Sequence, residues 1–343
     1  MKKALIAMSG GVDSSVCAAI IKNEGFDCIG GTMRLFGCGQ NDENDAKAVC
    51  DSLGMPHEVF DFSGNFEKEV ICRFVDAYEK GLTPNPCIDC NRHIKFSTLL
   101  EQAEKMGCDC IVTGHYARVE KCGDRYLLKK GHDESKDQSY VLYSLTQDEL
   151  SKTLLPLGAL SKSEVRDMAA ELGLVNATKK DSQDICFVPD GDYAKFIENY
   201  TNKKYPEGDF VDKNGKVLGR HKGMIRYTIG QRKGLGLALP HPMYVCEKDM
   251  QNNRVVLCEN DKLFSRTLST WDFNWVAFVP PDQPFKAKVK TRYKAKEAPA
   301  TVTAMDGGKW VKIEFDEPQR AITAGQAAVV YIDDTVVGGG TIR

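Results

Sequence analysis

Ala4-Leu5-Ile6-Ala7-Met8-Ser9-Gly10-Gly11-Val12-Asp13-Ser14-Ser15 is the stretch on which the fold turns. Residues 4–8 are apolar and free of turn formers, the length and character of a buried strand. They run directly into Ser9–Ser15 and then into a helical pattern over residues 15–23. Two glycines let the backbone turn sharply and present successive N–H groups, while Ser9, Ser14 and Ser15 add hydroxyl donors. The helix start contributes its positive dipole end, so the loop suits a phosphate or pyrophosphate. Asp13 offers a carboxylate to a Mg²⁺ travelling with that phosphate. The loop has neither the Gly-Lys-Ser/Thr ending of a Walker motif nor the third glycine of a dinucleotide fingerprint.

Outward from this loop, short apolar runs alternate with helical patterns. Residues 28–33, 57–62 and 110–114 read as strands, and residues 44–53, 66–81 and 94–106 as helices. Such alternation builds βαβ units and a parallel sheet. Two more helices are expected over residues 147–154 and 162–172, the second capped by Ser161. Near residue 200 the texture changes. Gly, Pro and Asn-Gly turns then separate short runs with no helical period, an all-β half of two small barrels or sandwiches. The expected domains are residues 1–199, 200–268 and 269–343.

The 343-residue chain is 42% hydrophobic and 27% charged, the balance of a globular protein. No apolar run approaches the roughly 20 residues of a membrane span, and the N-terminal stretch is too short for a signal peptide's apolar region. A cytoplasmic location without membrane contact is expected. Thirteen cysteines, an odd number without the spacing of a disulfide framework, fit a reducing compartment. Cys17, Cys50, Cys72, Cys108, Cys110, Cys246 and Cys258 sit among apolar residues and read as small core side chains. The net charge of −2 conceals an asymmetry. Residues 1–199 carry 23 basic and 32 acidic groups, and residues 200–343 carry 23 and 16. A basic half suggests a polyanionic partner.

That half contains a run with Lys or Arg at every even position from Lys286 to Lys296. On one continuous strand all six would share a face, a repulsive arrangement that phosphates would relieve. Arg220-His221-Lys222 and Arg232-Lys233 could extend the track.

Three cysteines stand apart: Cys87 and Cys90 do not read as core, and Cys186 by itself reads as core as readily as catalytic. Thr83-Pro84-Asn85-Pro86-Cys87-Ile88-Asp89-Cys90-Asn91 is a proline-stiffened loop opening a helix at about Ile94. Thiols there, beside Arg92, His93 and Lys95, are expected to have lowered pKa values. The C-x-x-C spacing suits a disulfide, a zinc half-site or an iron–sulfur half-site. Cys186 follows the charged stretch 179–184 and precedes Val188-Pro189-Asp190-Gly191, which places it on a loop or strand end.

The Ser9–Ser14 motif resembles the pyrophosphate (PP) loop of the N-type ATP pyrophosphatases, which split ATP to AMP and pyrophosphate and place AMP on a substrate oxygen. That group includes amide-forming synthetases as well as tRNA thiolases. Further blocks choose between them: residues 83–96, Thr113-Gly114-His115-Tyr116-Ala117-Arg118, Lys136-Asp137-Gln138-Ser139-Tyr140, residues 179–187, residues 228–235, and Ala324-Gly325-Gln326 with Gly338-Gly339-Gly340. Together they resemble the tRNA-specific 2-thiouridylases, the MnmA/TrmU family, over nearly the whole chain. The resemblance implies an α/β, adenine-nucleotide α-hydrolase-like PP-loop catalytic domain with a parallel sheet, a small β-rich central domain and a C-terminal β-barrel that binds tRNA.

The implied activity is that of a sulfurtransferase: ATP-dependent 2-thiolation of uridine 34 in the anticodons of the tRNAs for Lys, Glu and Gln, with a persulfide or sulfide donor. Ala7, Met8, Ser9, Gly10, Gly11, Val12, Asp13, Ser14, Met33 and Gly114 would then surround ATP, with Mg²⁺ at Asp13. Asn85, Pro86 and Cys87 would face the target base. Cys90 matches the nucleophile and Cys186 the persulfide carrier. His115, Lys136, Asp137, Gln138, Arg292, Tyr293 and Gln326 match tRNA-contacting positions. One position departs: Cys87 stands where the commoner form has Asp, which leaves the usual acid–base role unassigned. It also creates a three-thiol set, Cys87, Cys90 and Cys186, like that of thiolases holding a [4Fe–4S] cluster. Persulfide and cluster routes both remain open on the sequence, as does a PP-loop synthetase acting on another acceptor.

Overall fold

The computed structural model describes residues 1–36, 40–177, 179 and 185–343, with residues 40 and 41 described by their backbone. Residues 180–184 of the motif around Cys186 lie outside the described residues. In the first domain the strands are β1 (Lys3–Ala7), β2 (Asp27–Arg34), β3 (His57–Asp61), β4 (Cys110–Val112), a hairpin β5 (Ala117–Cys122) and β6 (Arg125–Lys130), and β7 (Thr153–Leu154). Strands β3-β2-β1-β4-β7 form one sheet, and every pairing in it is parallel. Side-chain alternation divides its interior in two. Leu5, Ile29 and Ile111 enter one core, whereas Ala4, Ile6, Cys28, Cys110 and Val112 enter the other. Helices therefore cover both faces, as a parallel sheet requires.

Several boundaries differ from the sequence reading, each for a local reason. The expected helix over 147–154 stops at Ser151, and Thr153–Leu154 forms the fifth parallel strand by pairing with Ile111 and Val112. The helix expected from Ile94 begins at Pro86. Asn85 caps it by accepting the Cys87 N–H at 3.2 Å, and Pro86 occupies the first turn. Cys87 and Cys90 thus lie on a helix rather than on the loop before it. The segments Pro86–Asp89, Cys90–Thr98 and Leu99–Lys105 are continuous, the middle one π-helical. Cys17, Cys50, Cys108, Cys110 and Cys258 are buried, but Cys72 is exposed beside the Tyr200 hydroxyl and Cys246 is half-buried. Helix Cys72–Glu79 turns Phe74, Val75 and Tyr78 inward, which sends Cys72 outward. At a bulge in its strand, Cys246 escapes the regular inward alternation.

Beyond helix Tyr193–Thr201, the described residues hold only single 3₁₀ turns and strands. Strands β8 (Gly208–Asp212), β9 (Val217–His221), β10 (Tyr244–Asp249) and β11 (Arg254–Cys258) form a four-stranded sheet in the order β10-β11-β8-β9. Strands β12 (Phe264–Trp275), β13 (Phe285–Lys290), β14 (Ala298–Met305), β15 (Trp310–Arg320), β16 (Ala327–Ile332) and β17 (Thr335–Ile342) run β12-β15-β14-β13-β16-β17 and close through β12–β17 pairing. The result is a barrel around Val289, Val302, Ile313, Phe315 and Val330. The first domain's hairpin joins its wall: Lys129 pairs with Thr335, and Arg118 bonds Asp334 at 2.6 Å.

The basic run is not one strand. It leaves the sheet at Lys290, because residues 291–295 turn, and Arg292 folds inward onto backbone carbonyls. Lys286 and Lys288 remain exposed, and Lys286 pairs with Asp316 at 2.8 Å. No helix among the described residues is long and apolar enough to cross a membrane.

Candidate active site

The phosphate loop leaves the sheet between β1 and β2 on one side and β4 on the other, where chain direction across the sheet reverses, the usual position of a nucleotide crevice. Gly10 has φ +69°, and a Cβ there would stand 2.5 Å from the Asp42 carbonyl oxygen, so only glycine fits. Ser14 donates to the Gly11 carbonyl at 3.0 Å and accepts the Ser9 N–H at 3.3 Å, which closes the loop on itself. Gly114, just past β4, packs against the loop: a Cβ there would meet Asp13 and the Ser14 nitrogen at 3.1–3.3 Å. Met33 lies at the end of β2 and packs into the core on that side. The structure therefore gathers Ala7–Ser14 and Gly114 at the carboxyl ends of the neighbouring strands β1 and β4.

Four residues given no site role from the sequence complete this end of the sheet. Asp13 Oδ1 accepts from the Tyr116 hydroxyl at 2.8 Å and from Lys162 Nζ at 2.7 Å. Asn176 donates to the Gly10 carbonyl at 3.0 Å and to Ser15 Oγ at 2.9 Å. Lys179 reaches the same carbonyl at 3.2 Å and pairs with Asp42 and Asp45, each at 2.8 Å. Burial works to lower the Lys179 pKa, but the two carboxylates prevail and raise it. Of the four, Lys162 left the clearest trace: it is the first helical residue after the Ser161 cap.

The cysteine helix is tied to the phosphate loop through a short chain of contacts. Phe96 packs against His115 with ring centroids 5.7 Å apart. His115 shares a 2.8 Å hydrogen bond with Thr113, and its neighbours Gly114 and Tyr116 touch Asp13. Burial holds the His115 pKa well below its ordinary value, with Lys95 adding to the effect. At 7% exposure it is packed inside the domain.

Cys87 presents accessible surface, yet its thiol is closely surrounded by protein. Burial raises its pKa and Lys95 opposes the rise only in part, contrary to the lowering expected at a helix start. Asp89 is pushed up to about 6 by burial, against the lowering influence of Arg73 and Arg92. Arg92 crosses to the barrel and pairs with Asp272 of β12. Cys90 packs against the larger core, and Ile185, Phe187 and Val188 join the same core around Cys186, which itself is exposed in a turn.

The barrel also grips the loop before the cysteines. Gln326 donates to the Thr83 carbonyl at 2.7 Å, the Thr83 N–H donates to the Ala324 carbonyl at 3.0 Å, and Gly325 approaches so closely that a Cβ would sit 2.8 Å from the Thr83 nitrogen. Arg292 joins three segments, donating to the carbonyls of Ile229 (3.3 Å) and Ala321 (2.5 Å) and to Thr323 Oγ1 (2.7 Å). Tyr293 packs on Tyr140 at 5.9 Å, and burial, with Asp137 adding to it, raises its pKa. Asp137 is buried, accepting from Gly131 and Ser139, while Gln138 accepts the Tyr116 N–H at 2.9 Å. Lys136 is partly exposed on the same turn. Asn85, Pro86, Cys87, Tyr293 and Gln326 are thus brought to one seam between first domain and barrel.

Asp13 suits Mg²⁺, which commonly takes one carboxylate and completes its shell with phosphate oxygens and water. The three-thiol cluster site does not fit as well. Among the described residues no group of three His, Cys, Asp or Glu side chains stands close enough to hold a metal, and Cys87, Cys90 and Cys186 are no exception.

Three family profiles tile the chain: "tRNA methyl transferase HUP domain" over residues 2–190, "tRNA methyl transferase PRC-barrel domain" over 194–259 and "Aminomethyltransferase beta-barrel domain" over 265–342. The tRNA-specific 2-thiouridylase MnmA of Acetivibrio thermocellus is 48% identical over 357 aligned residues, covering 100% of this chain and 99% of that protein. That of Clostridioides difficile is 46% identical, covering 100% and 98%. Among solved structures, a 4-thiouridine synthetase–RNA complex with bound ATP matches 58% of this chain and 50% of its own at 20% identity, with a TM-score of 0.40. With full-length relatives at this identity, a parallel-sheet nucleotide domain and a closed C-terminal barrel, the chain belongs to the tRNA-specific 2-thiouridylase MnmA family, whose members are tRNA sulfurtransferases.

Proposed function

We propose that this chain activates O2 of uridine 34 in a tRNA anticodon with ATP and replaces that oxygen with sulfur. The observation that carries the reading is the seam: the barrel's Gln326 and Ala324 hold Thr83 in the loop that leads into the Asn85–Cys90 helix start, and that helix leads on through Phe96 and His115 to the phosphate loop. An RNA base held at that seam would lie between the thiols and the nucleotide. Uridine O2 attacks the α-phosphorus, and pyrophosphate leaves from the loop at Ser9–Ser15. The terminal sulfur of a Cys186 persulfide attacks C2, and AMP departs with the former O2. The Cys90 thiolate then attacks the Cys186 sulfur, which leaves thiouridine on the tRNA and a Cys90–Cys186 disulfide. An external thiol reduces that disulfide, and a persulfide donor reloads Cys186.

Cys87 has no covalent step in this scheme. Its raised pKa suits a neutral thiol lining the base pocket. No step passes through an iron–sulfur cluster, because the three thiols do not form its ligand set.

Variants separate these roles. Cys90→Ser and Cys186→Ser should each abolish thiouridine formation, whereas Cys87→Ser should retain at least about a tenth of the parent rate, a loss of no more than ~1.4 kcal/mol in barrier. If Cys87→Ser is as inactive as the other two and anaerobically purified parent protein carries stoichiometric iron, the persulfide scheme is wrong.

A further inference from the structure

The phosphate loop contains no lysine between Ser9 and Ser15, although pyrophosphate leaves with more negative charge than neutral N–H and hydroxyl donors can balance. The fold brings a cation to the loop from far along the chain. Lys162 Nζ lies 2.7 Å from Asp13 Oδ1, its side chain only 11% exposed, across a separation of 149 residues.

Three features fix it there. Ser161 and Glu164 form a capping box, with Ser161 N–H donating to Glu164 at 2.7 Å, so the helix Lys162–Glu171 begins at one defined residue. The Lys162 N–H donates to Asp133 at 3.1 Å. Val165 and Ala169 of this helix share a core with Val12 and Val16 of the helix that follows the loop, so the two helix starts are packed as one unit. Asp13 also has a second partner: the Tyr116 hydroxyl, at 2.8 Å, can hold the carboxylate in place when the ammonium moves away.

We propose that Lys162 is a phosphate-binding residue of this site, held by Asp13 while the site is empty and transferred to the ATP phosphates when nucleotide enters. The inference rests on the ATP reading of the loop. In the exchange, the ammonium trades one carboxylate for phosphate oxygens, and the carboxylate freed on Asp13 faces the Mg²⁺ that accompanies ATP. No proton moves and no covalent bond changes. The ion pair keeps two charges at the loop compensated until substrate supplies both a new anion and a new cation.

The alternative is that Lys162 only neutralises Asp13, and a double-mutant cycle distinguishes the two. ATP binding is measured at equilibrium for the parent chain and for Asp13→Asn, Lys162→Met and the Asp13→Asn/Lys162→Met pair, in EDTA so that no metal acts through Asp13. Asp13→Asn should bind ATP at least as well as the parent, having lost a like charge. Adding Lys162→Met to it should weaken ATP binding by about tenfold or more, the scale of one charge-assisted contact. Lys162→Arg should stay within about threefold of the parent, which guards against a folding defect in the Met variant. Transfer RNA affinity should be the same for all. If the double variant binds ATP as tightly as Asp13→Asn, Lys162 is a counter-ion only and the proposal is overturned. If the parent chain binds no ATP with or without Mg²⁺, the nucleotide reading falls and takes this proposal with it.

Discussion

Asp89, between the two cysteines of the helix start, shows how packing acts on a single charge at this site. Burial raises its carboxyl from 3.8 to about 6, and Arg73 and Arg92 only partly offset that. In the window between those values the folded chain holds a proton that the unfolded chain releases. The carboxyl therefore costs nothing below about pH 4, and its penalty grows as pH rises, complete above about 6. Asp89→Asn should match the parent in urea unfolding at pH 3.5 and exceed it by roughly 2 kcal/mol at pH 7.5. Equal stabilities at both pH values would show that solvent or the arginines already compensate the charge. This residue and Cys87 also mark what the sequence withheld. Helix-start position and neighbouring cations argued for lowered thiol pKa values, but the desolvating wall around Cys87 comes from the folded chain and has no local signature. Gly10 was legible, because a strand running into Gly-Gly before a helix allows few backbone paths.

At the scale of elements, the loop preceding the cysteine helix is held by the barrel through Gln326 and the Thr83 carbonyl. Gln326→Ala removes one neutral hydrogen bond, worth about 1 kcal/mol to stability. It also loosens the seam where the base is proposed to sit. The expected outcome is a severalfold fall in kcat for thiolation with ATP affinity unchanged; a fall in ATP affinity instead would place Gln326's influence at the phosphate loop. The sheet strands β1–β4 and the helices between them followed from apolar periodicity. Thr153–Leu154 did not, since a two-residue strand carries no period and forms only because Ile111 and Val112 offer a free edge. The early start of the cysteine helix was written in Asn85-Pro86, a cap followed by a first-turn proline, but the alternation of Pro and Cys around it obscured the signal. Helix Tyr193–Thr201 went unread for a similar reason, lying where the texture turns from α/β to β.

Across the whole molecule, the acidic and basic halves were visible in composition, whereas the geometry of the basic run was not. Its alternation suggested six aligned charges, but the strand ends at Lys290, and Arg292 serves as a bolt between a turn of the central domain and the barrel. Within the strand, the RNA-facing test falls on Lys288, which is exposed, and Lys290, which is half-exposed at its end. Reversing both to Glu should weaken tRNA binding and reduce the slope of log affinity against log salt by about 2, with the melting temperature within a few degrees of the parent. An unchanged slope would make this wall of the barrel an ordinary solvated face. Contacts such as Lys162 with Asp13 span far too much chain to be read from spacing, and it is the folded sheet that unites them. The central claim, that one ATP activates one base for one sulfur, is tested most directly by mass spectrometry of a single-turnover mixture of protein loaded with persulfide, ATP, Mg²⁺ and unmodified tRNA. One AMP, one pyrophosphate and one 2-thiouridine at position 34 are expected per protein; AMP release without sulfur in the RNA, or thiolation without AMP, would overturn the claim.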